Sequence, residues 1–448
     1  MKSPYYGLML TRRFCSPFLW ALLFTLSCRS DEPKTKVVVL GFDGASWETI
    51  DPLIEKGKLP FLKRLKDESA WGPLTTFKPT KSPVIWTSIA TGKTMLKHGI
   101  LDFVFLEENK IQVPYSNSEK RVPSIWEILD SFERRSVVIN WFVTYPPDKI
   151  SGVMVSNRFR KALLLQGERR ERLRDSVYPQ EYYDDLKALI ANDYEAIRKK
   201  NNLPDIPSAY EEIHVGNTHQ DIAVLKDYWI YILQEALIEN VSQRLYQTEE
   251  FDFFAAYFRL PDIVQHFALE MMDPEEVEEI FVRLKMNEFT QADKKAFLDS
   301  ASEVLEPFYR YMEQIIRWFM TEGPYKDATF FVVSDHGFSL HRGGYDHYHL
   351  PDDLPPPDGV FLAKGPGIKK GERVSVNVYD IAPTILYLFD LPVGQDMDGK
   401  PLTAALHLDR EVRYASYTQK TIETIKKVRD AEIEERTLEE LRSLGYIK

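Results

Sequence analysis

Residues 329–337 read TFFVVSDHG, and this stretch gives the first indication of both fold and chemistry. The apolar run 329–333 is β-branched and aromatic, which predicts a buried strand. Asp335 and His336 follow at its carboxyl end, where open α/β sheets place their sites. A carboxylate beside an imidazole suits zinc and similar divalent metals. A hydrogen-bonded Asp–His pair at a strand end is the alternative, and this stretch alone does not separate the two.

The same apolar pattern recurs along the chain. Further runs are residues 37–43 (VVVLGFD), 136–141 (SVVINW), 253–258 (FFAAYF) and 359–363 (GVFLA). Charged, helix-periodic segments lie between them, and this alternation predicts an α/β fold with a central, mostly parallel sheet flanked by helices. Asp43 ends the first run, so it is expected at the same edge of the sheet as Asp335.

Other segments differ in composition from these runs. Residues 158–250 and 268–327 are long, charged and helix-periodic, and we interpret them as helical insertions that cap the sheet. Residues 419–448 predict a C-terminal helix with a charged face exposed to solvent. The α/β core would then comprise residues 36–157, 251–267 and 328–418.

Two further candidate metal ligands, Asp262 and His266, follow the FFAAYF run. Their i, i+4 spacing places both on one face of a helix, where they can chelate a metal together. The alternative is a capping Asp with an incidental His, and Asp43 has the same alternative of a helix cap. The loop GGYDHYH carries His347 and His349, and one of them could supply another ligand.

A candidate nucleophile lies in the segment Pro79-Thr80-Lys81-Ser82-Pro83, which leads into a helix-like stretch. A hydroxyl at a helix start lies where free backbone N–H groups and the helix dipole favour an anion. That position suits a nucleophile, because an oxyanion develops beside it during attack. The alternative is a Ser that only caps the helix.

Along the chain, the motifs occur in the order strand-Asp, hydroxyl-Pro-x₇-Thr-Gly, Asp-x₃-His, Ser-Asp-His-Gly and a later His. Motifs in this order resemble those of the alkaline phosphatase superfamily, and most closely its type I phosphodiesterase/nucleotide pyrophosphatase branch. The resemblance implies an alkaline-phosphatase-like sandwich and a metal-dependent hydrolase of phosphoric esters, either a phosphodiesterase or a phosphatase. Further similar stretches are residues 41–45, 59–62, 98–99, 365–368, 379–384 and 397–399.

The same resemblance implies two divalent metals, zinc or alternatively manganese, and a covalent intermediate on Ser82. The first metal would be held beside Ser82 by Asp43, Asp335 and His336. The second would be held by Asp262, His266 and one loop histidine, with His349 favoured narrowly over His347. Thr80 is the lesser candidate for the nucleophile, because counting back from Thr91-Gly92 without a gap reaches Ser82.

One position departs from the family pattern. Nucleotide pyrophosphatases carry an Asn after a His-Gly-Ile-x-Asp segment, whereas Phe103 follows Asp102 here. This departure weighs against nucleotide substrates and leaves the contact to the phosphoryl oxygen to another residue, for which Asn140 is the candidate.

Three other functions compete with this interpretation. A sulfatase would need Cys or Ser followed by x-Pro-x-Arg, and the sequence after Ser82 lacks that pattern. A phosphonate monoester hydrolase of the same superfamily is a second alternative. A non-catalytic surface lipoprotein that keeps the fold is the third, and it predicts broken ligand positions. All six positions carry suitable residues.

The N-terminus predicts export from a bacterial cell. Residues 1–28 combine basic residues with an apolar stretch that is short for a bilayer span, which is typical of a secretory signal. Cys28 at its end resembles a lipoprotein cleavage site, and residues 29–35 form a polar tether. A plain signal peptide is the alternative. Acylated Cys28 would hold the protein at a membrane surface, in the periplasm or on the cell surface.

Composition limits the class of partner. The chain has 448 residues, of which 44% are hydrophobic, so it can bury a sizeable core. The formal net charge is -11, and no basic stripe interleaves with aromatic residues, which argues against a nucleic-acid partner. We therefore expect a small-molecule or lipid-linked phosphoester as substrate.

Overall fold

A nine-stranded sheet lies at the centre of the protein in the computed structural model. The structure describes residues 35–107, 111–190, 194–201, 203, 228–417 and 430–447. The predicted signal segment with Cys28, and all but the last residue of the predicted tether, lie outside these residues. Within the described residues, no helix is both long and apolar enough to span a bilayer.

The strands are named here in chain order. They are β1 (Val37–Phe42), β2 (Ala70–Thr75), β3 (Val104–Leu106), β4 (Gln112–Pro114), β5 (Ser136–Ile139), β6 (Gly152–Val155), β7 (Val177–Tyr178), β8 (Phe253–Phe258), β9 (Thr329–Val333), β10 (Ser339–His341), β11 (Gly344–Asp346), β12 (Gly359–Lys364), β13 (Val376–Asn377), β14 (Val393–Gly394) and β15 (Tyr414–Ala415). Three pairs form separate two-stranded sheets, namely β3 with β4, β10 with β11, and β14 with β15.

The order of strands in the main sheet is β13-β2-β12-β9-β1-β8-β5-β6-β7. The central strands β9, β1, β8, β5 and β6 are parallel, whereas β12 and β7 run antiparallel to their neighbours. Val37 pairs with Phe253 on one side and with Thr329 on the other. The carboxyl ends of these five strands therefore lie along one edge. The predicted α/β class with a mostly parallel sheet is confirmed.

Helices flank this sheet. The α-helices are Trp47–Glu55, Pro60–Asp67, Ser82–Thr91, Met95–His98, Ile125–Asp130, Glu168–Glu171, Tyr183–Lys187, Tyr194–Asn201, Tyr228–Thr248, Leu260–His266, Ala268–Met271, Pro274–Met286, Gln291–Arg317, Ile381–Leu388 and Ala431–Ser443. Short 3-10 helices are Asn117–Glu119, Phe159–Leu163, Arg172–Ser176, Gln180–Tyr182, Val378–Asp380 and Thr403–Ala405, and a π-helical turn spans Trp318–Glu322.

Two apolar cores lie on opposite faces of the sheet, because successive strand side chains point to opposite sides. On β1, Val38 and Leu40 belong to one core and Val39 to the other. All three are at most 1% exposed, and such complete burial contributes about 1.5–3 kcal/mol per side chain. The first core includes residues of the helices Tyr228–Thr248 and Gln291–Arg317, and the second includes residues of Ser82–Thr91 and Ile381–Leu388.

The segment predicted as a helical insertion over 158–250 is more mixed than expected. β7 lies within it and extends the main sheet by pairing antiparallel with β6. Its β-branched Val177 is followed by Tyr178-Pro179, and proline is tolerated at such an edge position. Residues 204–227 lie outside the described part of the chain. The division into core and insertions otherwise stays a prediction.

One predicted element bound is wrong. The strand expected over 136–141 ends at Ile139, because Asn140 has φ +58° and leaves the extended conformation. The first part of the helix predicted from 419 lies outside the described residues, which exclude 418–429; the described helix spans Ala431–Ser443, and Asp430 accepts a hydrogen bond from the Ile433 N–H at its start. Its residue Glu440 is 9% exposed, so this helix has an inward-facing side as well as a charged outer one.

Candidate active site

The predicted site residues meet at the carboxyl edge of the central strands. Asp43 follows β1, Asp335 and His336 follow β9, and Asp262 lies in the helix that follows β8. Gly44 has φ +69°, and a Cβ at this position would lie 2.7 Å from the Asp262 Cα. Glycine therefore lets the turn after Asp43 approach the helix Leu260–His266 closely.

A first cluster forms around the His336 ring. Its Nε2 lies 3.4 Å from Asp43 Oδ1, 3.4 Å from Asp335 Oδ2 and 3.4 Å from Ser82 Oγ. All four side chains are at most 2% exposed. The structure thus brings together the predicted nucleophile and the three predicted ligands of the first metal.

A second cluster forms around Asp262. Its Oδ1 lies 3.5 Å from His266 Nε2 and 3.3 Å from His347 Nε2. The ligand atoms of these three residues all lie within 4.8 Å of one another, and so do those of Asp43, Asp262 and His336. Asp262 therefore stands between the two groups and is close to both.

The narrow preference for His349 over His347 is wrong on this geometry. His347 is fully buried within the second cluster, whereas His349 is exposed, with its Nε2 3.3 Å from the Gly445 carbonyl oxygen. Asp346 explains the difference, because its carboxylate accepts the N–H groups of His347 and the next two residues. This tight turn follows β11 and directs the two histidines to different places.

Hydrogen bonds set which ring nitrogen of each histidine faces the cluster. His336 Nδ1 lies 3.1 Å from the Gly337 carbonyl, and His347 Nδ1 lies 3.1 Å from the Thr80 carbonyl. A carbonyl can only accept, so each Nδ1 donates, and in the neutral ring Nε2 carries a lone pair. Those lone pairs point toward carboxylate oxygens, which are also acceptors. A cation placed among these lone pairs and carboxylate oxygens would bind to both. A hydrogen bond from the other ring nitrogen to a carbonyl is usual for metal-binding histidines.

Three buried carboxylate oxygens have no hydrogen-bond partner among the described residues. They are Asp43 Oδ1, Asp262 Oδ1 and Asp335 Oδ2. Burial, and then the charge of Asp262, raises the pKa of Asp43; burial, and then Asp43, raises the pKa of Asp335 well above its usual range. Asp262 differs, because His266 and His347 outweigh its burial and hold its pKa well below the usual value. The donor set fits divalent cations, which would allow all three carboxylates to be ionised together.

The histidines respond to this environment in opposite directions. Burial, followed by repulsion from His347, lowers the pKa of His336 to about 4, so its ring is neutral at pH 7. Burial also disfavours the charged form of His266, but the attraction of Asp262 outweighs it and raises the pKa of His266. A neutral imidazole is the form that binds a metal.

Two predicted roles receive no geometric support. Asn140 Nδ2 donates to the Tyr257 carbonyl at 2.9 Å, and Asn140 is absent from the residues that line the cavity at Ser82. Thr80 contributes its backbone carbonyl to His347, whereas Ser82 is the hydroxyl that faces His336. Of the two nucleophile candidates, Ser82 has the better position.

Two tyrosines at the site had no place in the sequence predictions. The Tyr257 hydroxyl donates to Asp43 Oδ2, and the Tyr446 hydroxyl donates to Asp262 Oδ2 at 2.8 Å and lies 2.9 Å from His266 Nε2. Tyr446 follows the helix Ala431–Ser443 and lies in none of the motifs given above. Tyr257 lies inside an apolar strand, and nothing in the sequence distinguishes it there.

Ser82 opens onto a cavity with a mixed lining. Apolar walls come from Phe103, Phe142 and Leu441, and the Phe103 ring stacks on that of Tyr446 with centroids 4.3 Å apart. The polar lining residues are Asp43, Ser82, Tyr115, Asn157, Arg160, Arg259, Asp262, Thr437, Glu440 and Tyr446.

A mostly parallel sheet with acid–imidazole clusters and a hydroxyl at its carboxyl edge is the arrangement that the sequence predicts for a metal-dependent hydrolase. The chain belongs to the type I phosphodiesterase / nucleotide pyrophosphatase family, whose model matches residues 37–432. The predicted family and the predicted class, phosphoric-ester hydrolases, are confirmed. No curated protein matches the sequence.

Several solved structures are similar to this chain at low sequence identity. BT1596, a 2-O GAG sulfatase, has a TM-score of 0.51 at 10% identity, over 87% of this chain and 79% of its own. Human ectonucleotide pyrophosphatase / phosphodiesterase 5 has a TM-score of 0.46 at 11% identity, over 84% of this chain and 100% of its own. The phosphonate monoester hydrolase of Silicibacter pomeroyi has a TM-score of 0.43 at 13% identity, over 82% and 76%.

Proposed function

We propose that this protein cleaves phosphoric esters with Ser82 as nucleophile and two divalent metals, zinc before manganese, in the two clusters. The observation that carries the proposal is the set of three buried carboxylate oxygens in the two clusters beside Ser82, which have no hydrogen-bond partners among the described residues. Carboxylates and imidazoles together suit zinc better than they suit calcium or magnesium. Cations bound there would activate the hydroxyl and stabilise the leaving oxygen.

The chain itself prepares Ser82 for attack. Ser82 is the first residue of the buried helix Ser82–Thr91, so free N–H groups and the helix dipole favour negative charge at its hydroxyl. Lys81 is held by an ion pair with Asp102, which fixes the entry to the helix. Attack on phosphorus would expel the alcohol and leave a phospho-Ser82 intermediate, which water then hydrolyses.

A hydrolysis panel tests this proposal. The substrates are p-nitrophenyl phosphate, bis-p-nitrophenyl phosphate, p-nitrophenyl sulfate and a p-nitrophenyl phosphonate, each with the zinc-loaded protein. Ser82→Ala should lower kcat by at least about 1000-fold on every substrate the wild type cleaves, whereas Thr80→Val should retain most activity. Full activity in Ser82→Ala would remove Ser82 as the nucleophile. Sulfate as the preferred substrate would favour the sulfatase alternative.

Metal content gives a second test that does not depend on the substrate. The protein, stripped by a chelator and reloaded with zinc, should retain two zinc ions per chain after desalting. Fewer than one ion per chain would contradict the two-metal proposal. Manganese loading under the same conditions compares the two candidate metals.

The proposed location is a membrane surface, through acyl chains on Cys28, which lies outside the described residues. Stable anchoring requires more than one acyl chain, and bacterial lipoproteins carry two or three. Labelled palmitate should enter the wild type expressed in a bacterium and should not enter Cys28→Ala. Equal labelling of both proteins, or of neither, would contradict the anchor.

A further inference from the structure

A buried group of three cations lies at the Ser82 cavity, and two of them line it. The basic wall is defined here as Arg160, Lys161 and Arg259, which gather around the single carboxylate of Glu440. Arg259 donates to Glu440 Oε1 at 2.5 Å, Arg160 donates to the same oxygen at 3.5 Å, and Lys161 pairs with Oε2. The three cations are at most 6% exposed.

The basic wall carries more positive charge than its own carboxylate balances. Among the described residues, three cations around Glu440 leave a net charge of plus two in a buried place, where unpaired charge is costly. The nearby carboxylate of Glu235 faces the backbone N–H groups of Arg259 and Leu260, and burial raises its pKa to about 7, so it offers only partial compensation.

The cations repel one another inside this wall. Burial, and then Arg259, lowers the pKa of Arg160, and burial lowers the pKa of Lys161 to about 8 against the attraction of Glu440. Arg160 Nε is buried and has no hydrogen-bond partner among the described residues. A purely structural ion pair would need one cation for one carboxylate. The additional cations therefore fit a role in binding an anion.

The wall faces the place where a substrate would lie. Arg160 and Arg259 line the same cavity as Ser82. Asp43 and Asp262, which belong to the clusters that fit divalent cations, line this cavity too. A substrate in the cavity could therefore meet both the metals and the guanidinium groups.

We propose that the basic wall is an anion subsite, and that the preferred phosphoester carries at least two negative charges within the cavity. This inference rests on the proposed function and adds a substrate class to it. The second charge comes either from a phosphomonoester, whose phosphoryl group is a dianion, or from a diester with another anionic group on its retained alcohol. Guanidinium groups suit both, because their planar donors match phosphate and carboxylate.

Three substrates that differ mainly in charge test the proposal. They are p-nitrophenyl phosphate, methyl p-nitrophenyl phosphate, which is a monoanionic diester, and 2-carboxyethyl p-nitrophenyl phosphate, which is a dianionic diester. Arg160→Met and Arg259→Met should lower kcat/KM for at least one dianionic substrate by roughly 10- to 100-fold, the range expected for a hydrogen bond to a charged group. For the monoanionic diester the loss should stay below about threefold.

Arg158→Met is the matched control. Arg158 is also buried, at 9% exposure, but it lies 3.8 Å from Asp430 and does not line the Ser82 cavity. Its substitution should leave the ratio between the substrates unchanged. If Arg259→Met fails to fold, Arg160→Met decides alone, because Lys161 and Arg259 still balance Glu440 in that variant.

A binding measurement provides a readout other than turnover. Inorganic phosphate should raise the melting temperature of zinc-loaded Ser82→Ala, and dimethyl phosphate should not. Adding Arg160→Met should weaken phosphate binding by roughly 10- to 100-fold. Equal losses on all three substrates would overturn the subsite, whereas unchanged phosphate binding together with a loss on the dianionic diester would assign the second charge to the retained alcohol. Absence of hydrolysis of every phosphoester by the wild type would instead overturn the proposed function.

Discussion

The most direct test of the second cluster is the replacement of His347 by Ala. His347 is fully buried, its Nε2 lies 3.3 Å from Asp262 Oδ1, and its Nδ1 is fixed by the Thr80 carbonyl. His349 is only two residues away, yet it is exposed and faces the Gly445 carbonyl. His349→Ala is therefore a control for any general effect of shortening a loop histidine.

The expected magnitude follows from the number of ligands. The second cluster has three protein ligands, so His347→Ala removes one of three. Loss of a group that only supports a ligand costs 10- to 100-fold in metal affinity, and loss of the ligand itself should reach at least the upper end, about 2.7 kcal/mol. His349→Ala should change the affinity by less than about threefold.

Zinc titration against a chromophoric chelator measures both variants at one pH. The wild type and His349→Ala should compete for two zinc ions, whereas His347→Ala should retain one tightly and lose the second in the competition. Hydrolysis should fall with the second ion and should recover in part at high zinc concentration. Two tight sites in His347→Ala, or the loss of one in His349→Ala, would refute the assignment.

Three further outcomes are expected. Tyr446→Phe removes the hydroxyl donor to Asp262, so the metal-free protein should lose about 1–3 kcal/mol in urea unfolding, and zinc should reduce that loss; an unchanged urea midpoint would count against this contact. Burial raises the pKa of Glu235 from 4.5 to about 7. Between these two pH values the folded protein keeps a proton on Glu235, whereas the unfolded chain has lost it. Stability should therefore fall as pH rises through that window, by at most roughly 3 kcal/mol, and Glu235→Gln should flatten the profile of unfolding free energy against pH. Zinc affinity should fall as pH is lowered through the raised pKa of His266, because the proton must leave before the ring binds metal; equal affinity at pH 6 and pH 8 would contradict this.

Much of the fold and of the acid–imidazole clusters could be predicted from sequence because both depend on local patterns. The run 329–333 is a strand with the predicted bounds, and Asp335 follows it at the sheet edge. The register with β1 then brings Asp43 to the same edge without any further information. Asp262 and His266 share a helix face through their spacing alone.

The rest depends on contacts that no local pattern records. Arg160 and Glu440 meet across 280 positions, and neither lies in a motif. The choice between His347 and His349 depends on how the Asp346 carboxylate holds the following N–H groups, which is a matter of turn geometry. Asn140 was a reasonable candidate at a strand end, but its left-handed backbone commits its side chain to the Tyr257 carbonyl.

The carboxylate clusters and the basic wall at the Ser82 cavity together support the proposed function. The clusters of Asp43, Asp262 and Asp335 hold buried carboxylate oxygens that have no hydrogen-bond partners among the described residues, and bound cations would satisfy them. In the proposed subsite, Arg160 and Arg259 carry positive charge that a bound anion would balance. Stability alone would favour neither excess, because buried charge without a partner is unfavourable. A phosphoester dianion in contact with the metals and the guanidinium groups balances both groups of charges at once. Each group of buried charges is unfavourable without its ligand, so the binding of metals and substrate would relieve that unfavourable free energy.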